Sequence, residues 1–266
     1  MKKIALFFVL FFLSSWVRSD ILVFVHGFDS SANVWRNTGF FSYMRSQGWQ
    51  DAGTLISHPR DGVVYLQAKQ LKPYRMVTVD LPSAAPIQVQ GQFLASYLKF
   101  LQQQSPQQSF SLIGHSVGGI VARYVLLQYP QFPIKRLISI ASPHLGTGMA
   151  EAAELLAKTP LSLITPIVGG DIINDSEILM EQLQREEPGS FLFWLNRLKH
   201  PDINYISVVR SFGSLLDKDF YVPSYSQDLR YVRGIQQARS FPSGGKHKLQ
   251  YRDAFLVARL VNQSVY

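Results

Sequence analysis

Residues 110–124 read Phe110-Ser111-Leu112-Ile113-Gly114-His115-Ser116-Val117-Gly118-Gly119-Ile120-Val121-Ala122-Arg123-Tyr124. A β-prone apolar run, Phe110–Ile113, ends on a glycine, and a helix-like stretch, Gly119–Tyr129, follows. Between them a serine stands two residues from a glycine on either side. A serine at so sharp a strand-to-helix turn takes strained backbone angles, and the flanking glycines let the chain pass close to its neighbours. The turn lifts the hydroxyl above the sheet and aims the first helical amides toward any negative charge that develops there. Gly-x-Ser-x-Gly alone is a common pattern. Placed between an apolar strand and an apolar helix, it marks Ser116 as a candidate nucleophile.

Working outward, further short apolar runs end in turn residues: Ile21–Val25 before His26-Gly27, Met76–Val79 before Asp80-Leu81-Pro82, Leu137–Ala141 into Ser142-Pro143, and Tyr205–Val209 ending at Arg210. They are apolar throughout rather than alternating, as strands buried on both faces require. Between two of them Val89, Phe93, Leu94, Tyr97, Leu98 and Leu101 recur at helical spacing. Strand and helix in alternation predict an α/β fold, a mainly parallel sheet covered by helices. A last strand is expected near Leu229–Val232.

His26-Gly27-Phe28 follows the first of these strands directly. The tetrahedral intermediate of acyl transfer carries an oxyanion that needs two donors, and the amides of Phe28 and Val117 are the candidates. Taken together, His26-Gly27-Phe28, the stretch Leu112–Tyr124 and Ile138–Ala141 running into Ser142-Pro143-His144-Leu145-Gly146-Thr147 resemble bacterial triacylglycerol lipases and the related hydrolases that include the GPI inositol deacylases. The likeness is extensive to about Gly148 and is carried beyond that by short motifs.

This resemblance implies an α/β-hydrolase fold and a triad in the chain order serine, acid, histidine. The family's acid precedes a Val-Pro and a serine, a pattern matched by Asp219 in Asp219-Phe220-Tyr221-Val222-Pro223-Ser224. Asp217 is the second candidate and Asp228 the third. Phe220 and Tyr221 are bulkier than the family's residues at these places. The last histidine, His247 in Gly244-Gly245-Lys246-His247-Lys248-Leu249, is the candidate base, with His200 the alternative. His26, His115 and His144 belong to motif turns, where histidines usually orient backbone. The implied reaction is cleavage of a carboxylic ester of a lipid through an acyl-enzyme on Ser116. A phospholipase, an acyl-thioesterase or an inositol-type deacylase would use the same triad, and a non-catalytic hydrolase-fold binding module is the alternative of another class. No cofactor or metal is called for.

Between Pro143 and Asn204 about sixty residues lack a clear strand, more than a crossover needs. Leu155, Leu156, Leu161, Leu163, Ile164, Ile167 and Val168, then Phe191–Leu195, make this segment strongly apolar. Ordinary helix packing on the sheet is one reading of this segment; the expectation is a cap or lid over residues 147–202, inserted in a single domain, residues 20–266.

Lys2 and Lys3, the apolar run Ile4–Leu13 and the small residues Val17 and Ser19 follow the order of an export signal, with cleavage expected after Ser19. Ile4–Val17 falls short of the roughly 20 residues that span a bilayer as a helix. A periplasmic or secreted protein is the expectation, with an uncleaved amino-terminal anchor the alternative. Removing residues 1–19 would lower the formal net charge from +8 to +5. Such an excess suits a soluble basic protein, the plainer reading, or peripheral contact with an anionic membrane or lipid surface; the acyl ester or lipid substrate is what the resemblance implies, and no nucleic-acid motif is present. Without cysteine, disulfides and thiolate chemistry are excluded.

Overall fold

The computed structural model describes residues 20–66, 74–148, 172–212, 219 and 221–262. The expected signal segment, residues 1–19, and the middle of the expected cap lie outside the described residues. No helix among the described residues is long and apolar enough to cross a membrane.

Eight strands form one sheet among the described residues: β1 Ile21–Val25, β2 Gln50–His58, β3 Gly62–Leu66, β4 Arg75–Val79, β5 Phe110–His115, β6 Ile134–Ile140, β7 Asn204–Phe212 and β8 Arg239–Gly244. Their order is β3-β2-β4-β1-β5-β6-β7-β8. Only the β2–β3 hairpin is antiparallel. This is the mainly parallel sheet that the apolar runs predict, and it agrees with the α/β-hydrolase fold that the resemblance implies.

β1 shows why those runs are uninterrupted. Ile21, Val23 and Val25 point to one face and pack with Leu94 and Leu98 of α3, Ile87–Gln104, and with Ile120, Val121 and Val125 of α4, Val117–Gln128. Leu22 and Phe24 point to the other, against Trp35 of α1, Val34–Asn37, against Phe40, Phe41 and Met44 of α2, Phe40–Ser46, and against Ala254 and Val257 near the carboxyl end. All five β1 residues are fully buried, because both faces of the sheet are covered.

The remaining helices are α5, Ile172–Gln182, α6, Phe191–Arg197, and α7, Tyr251–Asn262. Leu179, Met180, Leu192 and Leu195 join the apolar layer of α3 and α4. The described part of the 147–202 segment thus packs on this helical layer, with Gln182 accepting from the Ile87 amide at the head of α3.

One expected strand is not a strand. Leu229–Tyr231 is a short 3-10 turn, because the Asp228 carboxylate caps it by accepting from the Arg230 amide. Leu229 and Val232, three residues apart, both face inward as that turn places them. The last strand is β8, ten residues later. It holds Pro242, which an edge position tolerates because a proline has no amide to give.

Candidate active site

The candidate residues converge at the carboxyl ends of parallel strands. Ser116 follows β5, His26-Gly27-Phe28 follows β1, Asp219 follows β7 and His247 follows β8. Three non-glycine residues among those described have positive φ: Asp29, Ser116 and Ala141, following β1, β5 and β6. Side chains in this region are strained, and such strain persists only where the surroundings over-determine it.

Ser116 sits at φ 52°, ψ −127°, immediately before α4. Its amide donates to the Ile140 carbonyl across 2.9 Å, and its carbonyl accepts from Gly119 at 3.1 Å. The flanking glycines are needed for space rather than for φ. A Cβ on Gly114 would stand 2.4 Å from the Gly119 nitrogen, and one on Gly118 would stand 2.4 Å from the His26 carbonyl oxygen. Gly27 is pressed against the serine in the same way, since its Cβ would come 2.9 Å from that of Ser116.

That close approach holds the β1 turn beside Ser116. His26 fixes the turn from beneath. The Leu81 amide donates to His26 Nε2 at 3.0 Å, so the ring proton lies on Nδ1, which donates to the Gly27 carbonyl, also at 3.0 Å. Burial lowers the pKa of this imidazole, outweighing Asp80 3.7 Å away. The amides of Phe28 and Val117 have no acceptor among the described residues.

His247 Nε2 is 2.8 Å from Ser116 Oγ, and His247 Nδ1 is 2.8 Å from Asp219 Oδ2. An ionised carboxylate only accepts, so Nδ1 carries the proton and Nε2 presents its lone pair to the serine hydroxyl. The Asp219 side chain is fully buried and its oxygens are fully engaged. Oδ1 accepts from the Tyr221 and Val222 amides, each at 3.0 Å, and Oδ2 accepts from Gln227 Nε2 at 3.0 Å as well as from His247. The edge of the Tyr221 ring faces His247 at a centroid distance of 5.7 Å.

The other candidates lie elsewhere. Asp217 is outside the described residues. Asp228 is taken up by its cap and by the Arg230 guanidinium at 2.6 Å. His200 precedes β7, at the opposite edge of a parallel sheet from Ser116, and its Nδ1 donates to the Leu198 carbonyl. Burial, helped by the Arg123 cation, holds its pKa down to about 4. His144 bonds Ser139 Oγ at 2.8 Å, and burial lowers its pKa too. His115 is more closely involved. Its Nε2 donates to the His247 main-chain carbonyl, and burial, with His247 nearby, lowers its pKa to about 3.

Three supporting residues carry no motif and were not singled out from sequence. Gln227, fully buried, ties Asp219 to the Val222 carbonyl and to the Arg210 amide. Arg210 and Asp253 form a buried two-pronged ion pair at 2.6 and 2.7 Å. Arg210 also donates to the Lys248 carbonyl and Asp253 accepts from the Gln250 amide, so the pair clamps the loop carrying His247. Among the described residues no three His, Asp or Glu side chains are grouped as metal ligands would be.

Fold and site together define an α/β-hydrolase in which a serine, a histidine and an aspartate are aligned by hydrogen bonds. The chain belongs to the family described as "Putative serine esterase (DUF676)", whose model matches residues 17–228. A triacylglycerol lipase of Pseudarthrobacter phenanthrenivorans is 32% identical over 79 residues, covering 29% of this chain and 24% of that protein. The match thus spans less than a quarter of the length of the curated relatives. In fold, the chain is similar to the lin2722 gene product of Listeria innocua, with TM-score 0.64 and 12% identity over 93% of this chain and 96% of that one. It is also similar to the mature lipase BlEst2 of Bacillus licheniformis, with TM-score 0.57 and 16% identity over 92% and 93%.

Proposed function

We propose that the protein is an exported serine esterase that cleaves acyl esters of lipids, with Ser116 as nucleophile, His247 as general base and Asp219 as the residue that orients it. The observation that carries this reading is the unbroken line Ser116 Oγ–His247–Asp219, with 2.8 Å at each link. In the forward step His247 Nε2 takes the hydroxyl proton as Oγ bonds to the ester carbonyl carbon. The carbonyl oxygen gains the negative charge and is received by the Phe28 amide after β1 and the Val117 amide at the head of α4. Asp219, hydrogen-bonded by two amides and Gln227, stabilises the imidazolium. Collapse breaks the ester C–O bond, His247 protonates the leaving alcohol, and water repeats the cycle on the acyl-enzyme with the same base.

The lipid character of the substrate is supported by the motif resemblance, by the triacylglycerol lipase relatives and by the apolar composition of residues 147–202, which this proposal takes as a cap. Export is supported by the leader-like order of residues 1–19. The test is a series of glycerides, phospholipids and acyl thioesters of increasing acyl length, offered to wild type and His247→Ala. Turnover of glycerides by wild type, falling by orders of magnitude in the variant, is the expected result. Selective turnover of thioesters or phospholipids would replace the substrate assignment. Higher rates on emulsified than on dissolved ester are expected of a cap, and equal rates would remove it.

A further inference from the structure

On the face of the sheet opposite α3 and α4, α2 and α7 lie side by side and leave an aromatic cluster at the surface. The rings of Tyr43 and Phe255 meet at 4.2 Å between centroids, Tyr251 and Phe255 at 5.2 Å, and Tyr43 and Tyr251 at 6.1 Å. Tyr251 is 49% and Phe255 45% exposed, while Tyr43 is half-buried. A contiguous exposed aromatic patch is unusual on a solitary chain unless it meets something apolar.

The charge around the patch is one-sided. Arg259 continues the outward stripe of α7 at the spacing set by Tyr251 and Phe255, with exposed Arg252 beside them. Arg45 on α2 is exposed as well. Neither residues 39–48 nor residues 245–262 contain an acid apart from Asp253, which is buried against Arg210. Outside these stretches, Asp51 is held by two arms of the Arg36 guanidinium.

The patch also adjoins the catalytic loop. α7 begins four residues after His247, and Lys246 and Lys248 on either side of that histidine are exposed while its ring is turned inward. Aromatic rings with a polar tip, fringed by cations and free of exposed acids, match the boundary of an anionic bilayer.

We infer that the α2–α7 face docks on an anionic phospholipid surface, with Tyr43, Tyr251 and Phe255 entering the headgroup layer and Arg45, Arg252, Arg259, Lys246 and Lys248 meeting lipid phosphates. Docking there brings the loop of His247 to the membrane. The inference rests on the lipid-ester reading only for its purpose, not for the binding itself.

Binding is therefore measured on the full chain carrying Ser116→Ala, where turnover plays no part. Vesicles of phosphatidylcholine alone are compared with vesicles of phosphatidylcholine mixed with phosphatidylglycerol, at low and high salt. Binding to the mixed vesicles should be about tenfold tighter or more, and it should weaken with salt. It should fall about tenfold or more when Tyr251→Ser and Phe255→Ser are combined, and again for Arg252→Glu with Arg259→Glu. Each pair is also placed in the wild-type background, where unchanged hydrolysis of a short soluble ester certifies the fold. Equal binding to both vesicles, or binding indifferent to both variant pairs, overturns the inference. So does a wild-type dimer that the serine pair dissolves without affecting vesicle binding. If wild type instead fails to hydrolyse soluble esters while the vesicle results hold, the esterase reading falls and this one stands.

Discussion

His115, the residue immediately before Ser116, donates from its ring Nε2 to the main-chain carbonyl of His247 across 2.9 Å. The nucleophile turn and the base-bearing loop are thereby joined by a hydrogen bond that bypasses the reacting atoms. Burial keeps the His115 imidazole neutral, with its pKa near 3, so one tautomer serves across the working pH range.

Replacing His115 with leucine should remove this tie and let the His247 ring drift. We expect kcat on p-nitrophenyl butyrate to drop by about ten- to a hundredfold with KM little changed. His115→Gln, whose amide can still donate, should recover most of the loss. Equal kcat for the leucine and glutamine variants would mean that the loop is held without this bond.

Gln227 makes a second, distinct prediction. Gln227→Glu places another carboxylate beside Asp219 and His247. The added negative charge favours the protonated imidazole, so the acid limb of the pH–kcat/KM profile should move to higher pH. Gln227→Leu leaves the Arg210 amide and the Val222 carbonyl buried without this partner, at about 1–3 kcal/mol each, visible as a lower urea midpoint. A profile that stays in place for Gln227→Glu would detach this residue from the catalytic pair.

Gly118→Ala should fail for steric reasons. Its methyl would stand 2.4 Å from the His26 carbonyl oxygen and 2.5 Å from that of Val25, both main-chain atoms at the end of the central strand. Overpacking against backbone costs about 1–3 kcal/mol or more, and the β1 turn must move away from Ser116. Thermal unfolding should show a lower Tm, and activity should fall further than stability alone explains. A variant with wild-type Tm and rate would contradict the packing described.

Four buried imidazoles, His26, His115, His144 and His200, are held below their usual pKa chiefly by burial. Unfolding returns each to near 6.5, so below that pH the unfolded chain binds protons that the folded chain refuses. Stability should therefore decline as pH falls from about 6.5 toward 4 and below. His200, whose folded pKa is about 4 and which lies far from the triad, isolates the effect. The urea midpoint of His200→Gln should fall less steeply between pH 6.5 and 4 than that of wild type. Parallel curves would assign the acid sensitivity to other groups.

How far the sequence speaks depends on burial. β1, β4, β5, β6 and β7 are largely buried between the helical layers, so each carries an apolar run that makes it legible. β2 is half-buried in part, β3 lies at one edge of the sheet, and β8 at the other reads Arg-Ser-Phe-Pro-Ser-Gly. Nothing in such strands stands out from a loop. Leu229 and Val232 misled for a related reason, since two buried apolar residues three apart suit a tight turn as well as a strand. In the site, Ser116 was visible because its turn demands glycine at fixed offsets. Asp219 and His247 were reachable through chain order and short motifs. Gln227, Arg210 and Asp253 were not, because side chains that orient a catalytic group are chosen by three-dimensional fit and obey no spacing along the chain.

The account turns on Ser116 being the activated nucleophile, and the most direct measurement is covalent capture. A fluorophosphonate should phosphonylate wild-type protein at one site, with the added mass on the peptide that contains Ser116, and His247→Ala should slow the labelling by orders of magnitude. Ser116→Ala should take up no label. Label on another serine, or undiminished labelling of Ser116→Ala, would contradict the account.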